Sequence, residues 1–433
     1  MDPLFIQILI WVTYLITLFL LVYWLIYYFE KKSSMIDDKK KARPKLSRFP
    51  FVTITVPAYN EEKHILKTLN SLVRLDYPHD KFEIIVVNDC STDNTINVVK
   101  NFISRHIDEH KKANDAINIR LVSLKKNLGK AGALNTAFDD AKGEYFSCID
   151  ADSMVDHDAL LYMMEMFQKD PKLAIATPVM KVYKPKNWLQ KFQRIEYMSS
   201  MLIIKLMGFM NCNYVAPGPF SIYKASVLKK LGKFDGSNNI EDQEIAWRAQ
   251  KHHYKIRQCS NAIVHTIAPD DMKGLTRQRT RWFRGSLLTM HQYRDLAFNK
   301  KYGDFGMFQI PLMFAAYGLS LIGLFLFGYY LIKPIVNKIY DWFLINFDIM
   351  TELRHMHFTF NILDIEIAQV LIIFLALAVT IGLLYISSRN TDERVRKYGT
   401  IYLVPYFFLY YVLLGFILIK SLVDISLKRK QKW

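Results

Sequence analysis

Asp150 and Asp152 bracket Ala151 at the end of a short apolar run and are followed by Ser153. Carboxylates this close repel each other unless a cation lies nearby. Hard oxygen ligands suit Mg²⁺ or Mn²⁺, and Mg²⁺ is commonly held by one or two carboxylates together with substrate phosphates. A metal held in this way acts as a Lewis acid toward a departing diphosphate. About ninety residues later, Glu241-Asp242-Gln243-Glu244 opens a helical stretch. The helix dipole favours acidic residues in a first turn, but a carboxylate fixed there can also take the proton of an attacking hydroxyl. Gln278, Arg281 and Trp282 then fall on adjacent turns of one helix. Arg offers a forked donor for phosphate, and Trp a flat apolar face for a pyranose ring. An Arg–Trp pair at a membrane interface is the competing reading.

Smaller clusters accompany these. Pro57-Ala58-Tyr59-Asn60-Glu61 and Asn88-Asp89-Cys90-Ser91-Thr92 each follow an apolar run. Ser91 or Thr92 can cap the next helix, which leaves Asp89 free to accept from a base N–H. Asn127 to Asn135 sets Gly129, Ala131, Gly132 and Ala133 around Lys130, small residues where a backbone could approach a phosphate. Pro217-Gly218-Pro219-Phe220 has no helix-forming tendency and suits an acceptor wall. His265 reads as a structural histidine. Cys90, Cys148, Cys212 and Cys259 form no CxxC pair, so neither a zinc site nor a disulfide framework is indicated.

These residues need a frame. Short apolar runs at 52–56, 83–87, 119–122 and 145–149 alternate with helix-like stretches at 61–73, 92–103 and 131–141. That alternation predicts a parallel sheet covered on both faces. Ligands of such sheets bind beyond the carboxyl ends of the strands, where the Tyr59, Asp89 and Asp150 clusters fall. Residues 188–210 and 282–298 are amphipathic, read either as helices at a bilayer surface or as buried helices of the domain.

Of the 433 residues, 51% are hydrophobic and 14% aromatic, yet the formal net charge is +17. Four runs, near 4–29, 308–332, 367–386 and 400–423, approach the roughly 20 apolar residues that cross a bilayer. The first is too long for a signal peptide and lacks a basic leader and a small-residue cleavage site; it reads as a retained anchor. Lys31, Lys32, Lys39, Lys40, Lys41, Arg43 and Lys45 follow it, and basic flanks mark the cytoplasmic side. Arg389, Arg394, Arg396 and Lys397 agree, whereas four spans would put Lys428, Arg429, Lys430 and Lys432 outside. Pro405 in the last run offers one way out of that conflict. The charge lies beside apolar runs and forms no nucleic-acid motif, so it is assigned to anionic headgroups and nucleic acid is excluded as a partner. The expected division is a transmembrane helix at 1–30, a basic linker at 31–48, a catalytic domain at 49–300 and a C-terminal transmembrane region at 301–433.

Taken in order, Tyr59-Asn60-Glu61, Asn88-Asp89, Gly129-Lys130, Asp150/Asp152, Glu241-Asp242 and Gln278/Arg281/Trp282 resemble the processive family 2 glycosyltransferases over roughly residues 50–300. Pro269 to Gly285 looks most like the poly-β-1,6-N-acetylglucosamine synthases within that family, although Ile240 stands where many relatives have Thr. The resemblance implies an α/β GT-A-like (Rossmann-type) cytoplasmic domain on an all-α transmembrane part. It implies that Pro57, Ala58, Tyr59, Asn60, Glu61, Asp89 and Lys130 serve the UDP end of the donor. Asp150 and Asp152 would face the metal, Mg²⁺ or Mn²⁺, and the diphosphate. Asp242 would be the base, Gln278 and Arg281 would hold pyrophosphate, and Trp282, Pro217, Gly218 and Glu241 would meet the acceptor. The implied reaction is inverting transfer from a UDP-sugar, UDP-GlcNAc favoured, to a growing glycan, with export across the plasma (inner) membrane and room for accessory subunits. Rival readings are single transfer to a lipid such as a polyprenyl phosphate or ceramide, and a transporter or receptor that only senses a nucleotide.

Overall fold

The computed structural model describes residues 3–39, 43–110, 117–238, 240–347, 350, 366–393 and 399–429. Lys40, Lys41, Arg394, Arg396, Lys397, Lys430 and Lys432, used above for orientation, lie outside them.

Strands β1 (Val52–Ala58), β2 (Phe82–Asn88), β3 (Asn118–Ser123) and β4 (Tyr145–Cys148) form the expected parallel core. Their alternating side chains explain why the runs read as continuously apolar. Ile84 and Val86 join one core cluster with Ile54 and Val56, while Ile85 and Val87 point to a second with Leu134 and Phe146. Both faces of β2 are therefore dry, while β1 sets the buried hydroxyls of Thr53 and Thr55 on its second face.

Beyond β4 the expectation of an all-parallel sheet fails. Four more strands follow: β5 (Ser153–Val155), β6 (Leu173–Val182), β7 (Ser221–Lys224) and β8 (Lys255–Thr266). The order is β3-β2-β1-β4-β7-β6-β8-β5, with β7 antiparallel to both β4 and β6, and β5 antiparallel to β8. The architecture is a mixed, eight-stranded GT-A-like sheet. Reversal at β7 follows from the connection: Phe220 at φ 63° turns the chain so that its N–H donates to Cys148 O at 2.6 Å, beside the strand it pairs with.

Helices α1 (Pro3–Lys39), α2 (Ile65–Leu72), α3 (Thr95–His110), α4 (Gly129–Asp139), α5 (Ala159–Lys169), α6 (Trp188–Phe209), α7 (Ala225–Lys230), α8 (Glu241–Lys251) and α9 (Met272–Gln292) complete the sheet-bearing part and its entry. Helix α1 runs past residue 30 into the expected linker, because no Gly or Pro interrupts the chain before Pro44. Helix α9 begins ten residues before the expected 282. Asp271 caps it by accepting from Gly274 N–H at 2.6 Å.

Helix α6 forms over the 188–210 stretch, between the sheet and the apolar helices. It lies buried between layers: Met201 and Ile204 pack with Val179 of β6, while Leu202, Leu206 and Met207 pack with Trp24 of α1 and with Val379 and Leu383. Its outer face therefore meets the apolar helices rather than solvent.

Among the described residues, four helical runs are long and apolar enough to cross a membrane: Pro3–Ile36, Phe305–Leu344, Ile367–Asn390 and Thr400–Ser426. The second extends well beyond residue 332, to 40 residues. A π-helical turn at Gly328–Ile332 precedes Pro334, which then sits in a first turn, where a missing N–H does little harm. Pro405 does not break the last run, since a π-helical turn at Tyr406–Tyr410 carries it into the helix Tyr411–Ser426.

Candidate active site

The carboxyl ends of β1, β2 and β4 open on a cleft of about 800 Å³ lined by Pro57, Ala58, Tyr59, Glu61, Asp89, Lys130, Asp150, Asp152 and Arg281, among others. Nine of the sequence-derived candidates thus converge on one space. Tyr59 is 43% exposed at its rim, an open aromatic face. Asp89 is buried, and its Oδ1 already accepts from Leu128 N–H at 2.7 Å, so it pins the start of α4 rather than standing wholly free. Asn60 does not line the cleft. At φ 58° it ties two loops together, donating its N–H to Ser91 Oγ at 3.0 Å and accepting Thr92 N–H at 2.8 Å.

The sequence expectation sets Lys130 against phosphate. Its Nζ instead lies 2.5 Å from Asp150 Oδ1 and 2.9 Å from Glu241 Oε1. Burial works against the ammonium charge, but Asp150 and Glu241 outweigh it and hold Lys130 protonated well above the ordinary lysine value. Glu241, expected at the acceptor, is only 3% exposed and lines neither large cavity; it anchors Lys130. Gly218, expected at the acceptor wall beside Pro217, also packs against this pair. A Cβ there would stand 2.5 Å from Lys130 Nζ and 3.1 Å from Asp150 Oδ2, so the glycine is the lid over that ion pair.

Negative charge is concentrated at the mouth. Burial first, then Asp152 and Asp150, push Glu61 up to about 7. Burial and Asp150 raise Asp152 to about 6, against a hydrogen bond with Ser153. Carboxylates that resist ionisation together are the setting a divalent cation relieves. Among the described residues no three His, Cys, Asp or Glu side chains surround a single point. The residues present therefore fit an ion held by one or two carboxylates with ligand phosphates, and do not fit an all-protein cage.

Asp242, half-buried at the first turn of α8, holds its carboxylate with two backbone donors: Gln243 N–H to Oδ1 at 2.8 Å and Gly218 N–H to Oδ2 at 3.3 Å. Burial and the neighbouring Glu241 raise it to about 6, while Lys130 and Arg281 pull the other way. It lies on the wall of a second cavity, about 1300 Å³, together with Pro217, Trp282, Tyr197, Met313, Tyr317 and Leu414. Arg281 and Trp282, adjacent in sequence, thus divide between the two spaces. Gln278 lines neither, and its Oε1 is buried with no hydrogen-bond partner among the described residues.

Two elements of this geometry escape the sequence reading. Gly285 lets α9 close on Ile240: a Cβ there would stand 2.4 Å from Ile240 Cγ1, so α9 and the residue before Glu241 fit as notch and knob. Gln243 Nε2 donates to Ser286 Oγ at 3.0 Å beside that notch. The RWxxG spacing is the available signal for the first; a lone Gln in an acidic turn gives none for the second. His265 lies 3.3 Å from Asp156 as a structural pair, in keeping with its expected role.

A mixed GT-A-like sheet thus carries paired acids at a strand end, a separate carboxylate at a helix start, and a helix with adjacent Arg and Trp. The chain belongs to glycosyl transferase family 2: the profile described as "Glycosyl transferase family 2" matches residues 53–232, and that of "Glycosyl transferase family group 2" residues 145–418. It is 32% identical over 275 residues to a poly-beta-1,6-N-acetyl-D-glucosamine synthase of Staphylococcus epidermidis, covering 62% of this chain and 63% of that one. A synthase of the same description from Staphylococcus aureus strain COL is 33% identical over 274 residues, with coverage of 62% and 63%. The matched stretch thus spans less than two thirds of these relatives. Among solved structures, a mannosyltransferase of Pyrobaculum calidifontis in complex with GDP-Man and Mn²⁺ shares the fold, with a TM-score of 0.56 at 18% identity, covering 96% of this chain and all of that one.

Proposed function

We propose that this glycosyltransferase polymerises N-acetylglucosamine from UDP-GlcNAc and passes the glycan outward through its own membrane helices, with the catalytic domain on the cytoplasmic face. One observation carries the reading: Arg281 on the wall of the acidic cleft is followed in the chain by Trp282 on the wall of the larger cavity, which also holds Asp242 and is lined by Met313, Tyr317 and Leu414 of the apolar helices. A donor site thus adjoins a space that leads into the membrane part. The similarity to poly-beta-1,6-N-acetyl-D-glucosamine synthases supports the choice of sugar.

In this reading the Pro57–Glu61 loop and Asp89 receive the uridine, with Tyr59 as its open aromatic wall. Asp150 and Asp152 would hold Mg²⁺ or Mn²⁺ against the diphosphate, and the ion would supply Lewis-acid relief of the leaving group's charge. Lys130 holds the Asp150 carboxylate in place. Arg281 reaches the same space as a forked phosphate donor. Asp242 takes the proton of the acceptor hydroxyl as that oxygen bonds to the sugar's anomeric carbon. The bond from that carbon to the diphosphate breaks on the opposite face, UDP leaves with the bonding pair, and the configuration inverts. Trp282 offers its ring to the terminal acceptor sugar. The test is purified protein in lipid with a panel of UDP-sugars and each cation, following UDP release and product mass. Long β-linked GlcNAc products are expected; one sugar added to a lipid, with no further extension, refutes the processive reading.

A further inference from the structure

Trp282 is packed against a buried arginine on its own helix. The Arg279 guanidinium carbon lies 4.1 Å from the Trp282 ring centroid, within cation–π reach. Arg279 itself is held: its Nη2 donates to Glu196 Oε2 at 2.6 Å, and its side chain is only 4% exposed. Tyr410 donates its hydroxyl to the same Glu196 oxygen at 2.7 Å and lies 3.4 Å from Arg279 Nη2. Three elements meet there: Glu196 comes from α6, Arg279 from α9, and Tyr410 from the C-terminal apolar run Thr400–Ser426. Tyr197, next to Glu196, presents its ring to Trp282 at 6.5 Å and 30°. The network lines the larger cavity through Glu196, Tyr197, Arg279 and Trp282.

We propose that Glu196, Arg279 and Tyr410 are positioning residues that fix the Trp282 ring at the cavity mouth and tie its setting to the C-terminal membrane helix. This rests on the reading of Trp282 as the acceptor platform. A buried Arg needs its charge matched to stay in place, and Glu196 supplies that match. Glu196 in turn takes its remaining partner from a different helix, so a shift of that helix moves the acid, the guanidinium and the indole together. The flat guanidinium matters beyond its charge, because an ammonium can keep the ion pair without covering the ring.

The experiment uses the full chain in lipid and compares Arg279→Lys and Tyr410→Phe with Trp282→Ala and with Arg279→Lys/Trp282→Ala. Expected are products shortened up to about tenfold in the two positioning variants with UDP affinity unchanged, and no further shortening when Arg279→Lys is added to Trp282→Ala. The ring's own setting is read as the tryptophan emission lost on Trp282→Phe, which should change in both backgrounds. Full additivity with Trp282→Ala, or an unaltered Trp282 emission in both variants, overturns the proposal. Unchanged product length in Trp282→Ala alone overturns the platform reading instead, and the emission result then decides separately whether the ring is braced. Should Arg279→Lys fail to fold, Tyr410→Phe, which loses one hydroxyl, carries the same comparisons.

Discussion

Replacing Asp242 by Asn tests the base directly. The side chain keeps its volume, and of the two backbone donors that hold it, Gln243 N–H at Oδ1 and Gly218 N–H at Oδ2, the shorter contact from Gln243 can still bond the amide oxygen while the Gly218 N–H loses its acceptor. An amide cannot accept the acceptor's proton, and loss of a general base costs about 10²–10⁴-fold in turnover. The wild-type pH profile supplies a second reading. Asp242 is raised to about 6, with burial as the main cause. In the proposed mechanism the reactive form is the carboxylate, so kcat should rise with pH through about 6 and level above it. At pH 5 only about a tenth of the carboxylate is ionised, and kcat falls to about a tenth of the plateau. The stability sign is opposite to that of an ordinary paired Asp. A carboxyl whose folded value is raised favours the fold at low pH, and that contribution is lost as pH rises through about 6. The amide variant is relieved of that charged group at pH 7.5 but loses the Gly218 N–H bond, so it should melt close to wild type there. The assay is kcat at saturating donor and cation from pH 5 to 8, beside UDP affinity by calorimetry. A flat kcat across pH 5–7, or UDP affinity falling in step with turnover, would refute the assignment.

Three further changes probe the remaining geometry. Asp152→Asn should abolish transfer with melting temperature retained, Asp150→Asn should abolish it and also melt lower because Lys130 keeps only Glu241, and EDTA should stop the wild type; full activity in both variants removes the metal from the reading. Gly218→Ala sets a methyl against Lys130 Nζ and Asp150, so kcat/KM should fall at least roughly tenfold, which needs only about 1.4 kcal/mol, and wild-type kcat/KM would show that the lid tolerates bulk. Gly285→Ala drives a methyl into Ile240 and should cost about 1–3 kcal/mol of stability by overpacking. Adding Ile240→Ala should recover much of that loss in a thermal melt, and no recovery would mean that α9 and the start of α8 do not fit as described.

What the residues disclose and what they hide follow one physical division. Chemistry at strand ends is legible because β1, β2 and β4 are short, buried on both faces and followed at once by polar clusters, so periodicity and position speak together. The second half of the sheet is not, because β7 is only four residues long and its antiparallel course depends on the turn at Phe220, which no local propensity announces. The same division runs through the site. Residue types pick out Lys130, Glu241 and Gly218, but their roles depend on separations that spacing cannot carry. Lys130 and Glu241 are more than a hundred positions apart yet 2.9 Å apart in space, and that pair fits only because residue 218 has no side chain. A lysine beside a glycine reads as a phosphate contact until the buried acid that claims it is found. Charge is thus a sound guide to where the site lies, and a poor one to which charges remain for the substrate. In this cleft Arg281 is the other basic side chain on the wall, and in the proposed mechanism it and the cation would meet the diphosphate beside a lysine that Asp150 already holds.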